Sequence, residues 1–497
     1  MPTPKPRLKR SAPESGRRPS RESMSRLDTA WLRMEKPTNP MMITGVLMFA
    51  EPMTLAELKR VVRDRFLDYR RFRQKPVEGA AGWHWEDDRD FDLDWHVRLS
   101  GLPGRGDKRA LERFVSQLAS SRLDVSRPLW QFHLVERYHG VSAVVARIHH
   151  CYADGIALVQ VLLSLTDTSR ESSRSSRLDK AWLKKEGERV ARRVGAVDRY
   201  MKLGGRVLQQ GMAMYNDPTL AALLAREGGE IARELVTALA LPDDPPSLLR
   251  GRLGVSKRVA WAEPLDLEEV KAVGRACDCT VNDVLMAAAA GALRSYMLER
   301  GEQVDGMTLR ATVPVNLRPL EHAKQLGNHF GLVFLDLPIG ESNPLRRLER
   351  VAECMNQLKT SRQAIVAYGL LAALGLAPQP VQELALELFS RKASAVATNV
   401  PGPQQPLYLG GCTVREIMFW VPQTGSIGLG LSILSYHGQV HFGIISDART
   451  IPDPDNVIRR FGSEFEKLLY LALMGNWHTR LDAPGASALL EEEATDA

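Results

Sequence analysis

His149-His150-Cys151-Tyr152-Ala153-Asp154-Gly155 lies between two apolar runs of different kinds. The run before it, Val141 to Ile148, is β-branched and apolar, the pattern of a buried strand. The run after it, Ile156 to Leu165, reads as a helix. A strand, a short loop and a helix in succession commit this part of the chain to an α/β arrangement. They also hold the loop between two rigid elements, where reactive side chains are commonly presented.

An imidazole exchanges its proton near neutral pH, so a histidine at a strand end can serve as a general base. On spacing alone three readings stay open for His149 and His150: ordinary loop residues, metal ligands together with Asp154, or acid–base groups. The metal reading lacks a second cluster at ligand spacing, because His84, His96, His133, His139, His322, His329, His437, His441 and His478 are scattered. Asp154 is too close along the chain to be taken as the partner of His150 across a pocket. It can close the loop through backbone N–H groups or through a distant arginine. Gly155 permits a positive φ or a close backbone approach where the helix starts.

Other stretches stand out. Ser25-x-x-Asp28-x-x-Trp31-Leu32-x-x-Glu35 is followed by Pro37 and Pro40-Met41. Pro128-Leu129-Trp130 offers an indole to bury against a sheet. Thr280 is a helix N-cap candidate with Asp283 three residues on, so Asn282-Asp283 reads as a helix start ahead of Val284-Leu285-Met286-Ala287. Val313-Pro314-Val315-Asn316-Leu317-Arg318 and Gly327-Asn328-His329-Phe330-Gly331 follow. Thr398-Asn399-Val400-Pro401-Gly402-Pro403 contains turn chemistry, and Ser435-Tyr436-His437-Gly438 precedes Phe442-Gly443.

The histidine motif resembles the signature of the CoA-dependent acyltransferase superfamily. The remaining blocks, in the same order from about residue 24 to about residue 460, resemble the bacterial wax ester synthase/diacylglycerol acyltransferase family. The sequence departs from that pattern at Met42-Ile43, where the family often carries His-Val or His-Ile. We read the change as one of packing.

The resemblance implies an α/β fold of two chloramphenicol-acetyltransferase-like domains with a substrate tunnel between them. It implies acyl transfer from acyl-CoA, as co-substrate, to the hydroxyl of a neutral lipid alcohol, either diacylglycerol or a fatty alcohol. His150 is the histidine of the core that the superfamily shares and is the implied base. His149 would support or orient it, and Asp154 would hold the loop by pairing with an arginine. Gly155, Asp283, Pro128, Leu129 and Trp130 would support the motif, with Asn282 a candidate oxyanion donor. No bound cofactor and no metal is expected. Two other readings remain: a lipid-binding scaffold that keeps the fold without turnover, and a condensation-type enzyme that uses carrier-bound thioesters.

At 497 residues the chain is too long for one ordinary core. The formal charge of +7 invites a nucleic-acid partner, but eight basic and two acidic side chains lie within residues 1–26. The body is therefore nearly neutral and no nucleic-acid partner is expected. The basic tail has no apolar core of a secretory signal, and it suits either contact with anionic headgroups or an inert extension. Five cysteines show neither zinc spacing nor a disulfide framework, which fits a reducing cytoplasm. Cys151 is a possible nucleophile by position, although the chemistry needs no thiol. The longest apolar run, Ala364 to Ala377, is too short to span a bilayer, so membrane or lipid-inclusion contact would be peripheral. Nothing in the sequence sets an oligomeric state.

The expected organisation is a disordered tail (1–24), an N-terminal acyltransferase domain (25–168), a helical crossover (169–256), a C-terminal domain (257–480) and an acidic tail (481–497). In the first domain strands are expected at Val46–Phe49, Phe91–Leu99, Trp130–Arg137 and Val141–Ile148. Helices are expected at Thr54–Tyr69 and Asp107–Leu123. In the second, strands are expected at Thr308–Val315, Gly331–Leu337, Ala393–Asn399, Ile427–Ser435 and Val440–Ser446. Helices are expected at Val281–Arg300, Leu345–Val366 and Phe461–Met474.

Overall fold

The computed structural model describes residues 21–170 apart from 81, then 241–316, 330–360 and 379–474, with 364, 367 and 490. The basic tail up to residue 20, most of the expected crossover and nearly all of the acidic tail lie outside these residues. So do His322, His329, His478, most of the run from 364 to 377, and residues 317, 318 and 327–329 of the quoted blocks.

The first part of the chain forms β1 (Glu22–Ser23), α1 (Arg26–Met34), β2 (Met42–Phe49), α2 (Leu55–Asp64), β3 (Gln74–Gly79) and β4 (Gly82–Asp87). There follow α3 (Leu93–His96), β5 (Val97–Gly101), α4 (Lys108–Ala119), β6 (Trp130–Tyr138), β7 (Val141–His149) and α5 (Gly155–Leu165). After residue 240 come β8 (Lys257–Trp261), β9 (Leu265–Asp266), α6 (Leu267–Ala276), α7 (Val281–Glu299), β10 (Leu309–Asn316), β11 (Phe330–Leu337) and α8 (Pro344–Thr360). The last elements are α9 (Gln379–Ser390), β12 (Ala395–Pro401), β13 (Leu407–Leu409), β14 (Cys412–Trp420), β15 (Leu429–Tyr436), β16 (Gln439–Asp447) and α10 (Pro454–Met474).

The strand before the histidine motif is buried on both faces because period-two side chains alternate between two cores. Val144, Ala146 and Ile148 of β7 enter one cluster with Trp31 and Leu129. Ala143 and Val145 enter another with Leu111, Val115 and Ala119 of α4. β7 pairs antiparallel with β2 and β6, and the order across the first sheet is β13-β14-β2-β7-β6-β5. The second sheet runs β11-β10-β12-β15-β16-β8, with β9 added to β16. In it β12 is parallel to both β10 and β15. A third, small sheet of β1, β4 and β3 completes the described strands.

β13 and β14 follow β12 in sequence, yet they join the sheet built by the first 150 residues, with β14 antiparallel to β2. Tyr436, at the end of β15, ties that crossover to the second sheet. Its hydroxyl accepts the Leu407 N–H (2.9 Å) and donates to the Val414 carbonyl (2.8 Å).

The expected strand at Phe91–Leu99 is a correction. Asp92 caps the short helix α3 through the Asp94 N–H, and the strand begins only at Val97. The helix expected over Thr54–Tyr69 ends at Asp64 and gives way to two 3-10 turns. Its N-terminus is a capping box, with Thr54 and Glu57 each accepting the other's backbone N–H.

Candidate active site

The loop after β7 is clamped residue by residue. The His149 N–H donates to the Leu129 carbonyl (2.9 Å), the His150 N–H to the Met41 carbonyl (2.7 Å) and the Tyr152 N–H to the His149 carbonyl (3.1 Å). Leu129 also gives its own N–H to the Tyr152 hydroxyl (3.0 Å), which donates to the Gln74 carbonyl (2.6 Å). Pro128-Leu129-Trp130 therefore acts as a backbone brace for the loop. Trp130 buries its ring and donates its indole N–H to the Phe72 carbonyl (2.7 Å). Asp154 is buried and caps α5, its Oδ1 accepting the Ala157 N–H at 2.9 Å. Gly155 is the first residue of that helix. At the other end, Arg65 reaches the Leu165 carbonyl (2.9 Å) and both carboxylate oxygens of Asp167 (3.0 Å).

The two histidines have different surroundings. The His150 ring stacks on the indole of Trp31, with centroids 4.1 Å apart and planes 21° apart. Phe330, the first residue of β11 in the second sheet, tilts against both rings at 5.6 and 5.7 Å. His150 thus stands where residues of the two large sheets meet, 5 % exposed. His149 lies against polar groups: its Nε2 is 3.1 Å from Oε2 of Glu35, and its Nδ1 accepts the Cys151 N–H at 3.1 Å. A nitrogen that accepts carries no proton, so the His149 ring proton sits on Nε2 and points at Glu35. The other Glu35 oxygen accepts from Arg122 (3.0 Å). Burial pushes the Glu35 carboxyl up, but the bonds from His149 and Arg122 outweigh it and hold it below its usual value.

Burial drives the Cys151 thiol far above its ordinary pKa, so it is not poised as a thiolate nucleophile. Among the described residues no group of His, Cys, Asp and Glu is arranged to hold a metal. Asp283 forms the helix-start cap with Thr280: each accepts the other's backbone N–H, at 2.8 and 3.3 Å. Asn282 accepts the Asn399 side-chain amide at 2.7 Å, which joins α7 to β12. No hydrogen bond among the described residues ties Asn282 or Asp283 to the histidine loop. Trp31, Glu35 and Phe330 complete the site. All three fall within the sequence blocks named above, where no local pattern assigns them a role. Trp31 and Glu35 are four residues apart, the spacing of one helical face, and that was the available local signal.

Comparison with known proteins decides the family. Residues 24–285 match the wax ester synthase/diacylglycerol acyltransferase catalytic domain, and residues 326–469 match the WS/DGAT C-terminal domain. The chain belongs to the wax ester synthase/diacylglycerol acyltransferase family. It is 29% identical over 409 residues to the probable diacylglycerol O-acyltransferase tgs1 of Mycobacterium tuberculosis, covering 81% of this chain and 84% of the relative. It is 28% identical over 456 residues to tgs2 of the same organism, covering 89% and 97%. Its fold is similar to that of the wax ester synthase/diacylglycerol acyltransferase from Marinobacter aquaeolei VT8, with a TM-score of 0.64 and 22% identity over 91% of this chain and 100% of that one. The first condensation domain of the calcium-dependent antibiotic synthetase shares the architecture, with a TM-score of 0.55 and 16% identity over 92% and 97%. Family membership makes this chain an acyl-CoA-dependent O-acyltransferase of the type that forms triacylglycerol or wax ester. The two-lobed α/β fold is that of the superfamily.

Proposed function

We propose that His150 is the general base for the transfer of a long-chain acyl group from acyl-CoA to diacylglycerol or a fatty alcohol. The observation that carries this is the His150 ring, held by Trp31 and Phe330 where the two sheets meet. An alcohol attacks a thioester slowly because its proton is tightly held. As the oxygen adds to the carbonyl carbon, His150 takes that proton. The tetrahedral intermediate collapses, the C–S bond breaks, and the imidazolium returns the proton to the CoA sulfur. No acyl-enzyme forms, because both substrates are bound together, which turns a bimolecular encounter into an oriented one. Asn282 is the candidate oxyanion donor, and the proposed reaction uses acyl-CoA as co-substrate with no bound cofactor.

Acceptors of this class sit in membranes or lipid inclusions rather than in water. Among the described residues no single helix is long and apolar enough to cross a membrane. We read the protein as cytoplasmic and in peripheral contact with membrane or lipid inclusions, because that is where its acceptor lipids lie.

Thiol release from palmitoyl-CoA tests the reading, with hexadecanol, with dioleoylglycerol and without acceptor. Release is expected to depend on acceptor and to fall about 10²–10⁴-fold in His150→Ala, the usual contribution of a positioned base. The ratio between the two acceptors sets the product class. A folded wild-type protein silent with both would remove the reading and favour the scaffold or carrier-dependent alternatives.

A further inference from the structure

Glu35 is the C-cap residue of α1, one turn beyond the tryptophan that stacks on His150. Its side chain is 5 % exposed and faces a histidine that is 1 % exposed. Around them lie Arg122, which bonds the same carboxylate, and Arg147, whose guanidinium bonds Gln131 (3.3 Å) and the Ser121 carbonyl. The chain of contacts runs from Glu35 to His149 Nε2, through the ring to Nδ1, and on to the Cys151 N–H. That last peptide directly follows His150. Removing the carboxylate would leave a buried N–H without its acceptor. The ring would recover one by turning or by moving its proton to Nδ1, and either change releases Cys151. A reacting group misplaced by about 1 Å can lose about 10²-fold in rate.

We propose that Glu35 is a positioning residue for acyl transfer. Acting through the tautomer and orientation of His149, it fixes the peptide after His150 and so the approach of the catalytic ring to the substrate. The proposal rests on reading His150 as the base.

The test is a mutant cycle read as kcat and KM for palmitoyl-CoA with a saturating acceptor. Glu35→Gln keeps an oxygen for the Nε2–H and is expected to stay within about threefold of wild-type kcat. Glu35→Ala is expected to lose about 10–100-fold in kcat with KM changed less than about twofold, the size of a positioning defect. His149→Asn puts an amide oxygen where Nδ1 was, which keeps the Cys151 contact and drops the contact with Glu35. In that background Glu35→Ala is expected to change kcat less than about twofold, because groups that act through one another do not add. Equal losses in both backgrounds, or an unimpaired Glu35→Ala, would overturn the proposal.

Nitrogen NMR of histidine-labelled protein gives an answer that needs neither activity nor a folded alanine variant. His149 is expected as the Nε2–H tautomer in wild type and Glu35→Gln. A wild-type Nδ1–H form would equally overturn the assignment. A wild type with the expected tautomer but no turnover would count against the His150 reading and leave the Glu35–His149 contact standing.

Discussion

Asp154 lies four residues beyond His150, but its side chain serves the helix that follows. Its Oδ1 holds the Ala157 N–H at 2.9 Å, one of the donors that a helix start leaves without a partner. Asp154→Ala is expected to cost at least about 1 kcal/mol of stability, the usual loss of a cap, and Asp154→Asn, which keeps an acceptor oxygen, should lose less. Thermal melting of both variants checks this. Equal losses would mean that the carboxylate charge, rather than the cap, is what the loop needs. At this scale the histidine motif was legible, because adjacent histidines with a spaced Asp-Gly form a local pattern. The role of Glu35 was not, since its partner is 114 residues away and only folding brings the two together. The brace from Leu129 was hidden for another reason: it is made by backbone atoms, which any residue carries.

Among the elements, α4 does work that its hydrophobic pattern does not announce. β8 ends the second sheet, and the N–H groups of Lys257, Val259 and Trp261 turn away from its partner β16. Ser120, the C-cap residue of α4, and Ser116 and Glu112 within it, each one helical turn apart, accept them at 2.8, 3.0 and 3.4 Å. A helix of the first lobe thus closes an open strand edge of the second, and an edge left open invites pairing with another chain. Ser116→Ala would leave the buried Val259 N–H without an acceptor. It is expected to cost about 1–3 kcal/mol, measured as a shift in the denaturant midpoint. A change below about 0.5 kcal/mol would show that the edge is satisfied some other way. Sequence periodicity located β7, α4 and α7 well because each has a one-sided or wholly apolar pattern. It missed β14, with Arg415 and Glu416 in its middle, and could not show that the strand leaves its neighbours for the other sheet. Partner choice depends on the face and edge left open by distant segments, and no window of sequence contains that.

Across the whole molecule, β14 lies in one sheet and is tied through Tyr436 to the other, so the two lobes are joined by shared packing. Buried ionisable groups on both sides therefore act on one shared stability. Burial lowers His133 of β6 to about 4, with Arg147 and Arg98 adding to the effect, and burial lowers His441 of β16 to about 4. Each binds a proton less readily when folded than when unfolded. Each therefore stabilises the fold above about pH 6.5 and loses that contribution as pH falls toward 4, on the order of 3 kcal/mol apiece. Glu112 opposes them. Burial, helped by Asp455, lifts it to about 7, so its contribution is complete below about 4.5 and is lost as pH rises through 7. Between pH 6.5 and 4.5 the two histidines lose on acidification about twice what Glu112 gains, so these three groups together are expected to lower the melting temperature. His441→Leu removes a ring whose Nε2 has no hydrogen-bond partner among the described residues, and should flatten that slope. Glu112→Gln should steepen it. Melting curves at half-unit steps across this window would separate the three groups. A slope unchanged in His441→Leu would mean that water reaches this histidine and that its burial does not control its charge.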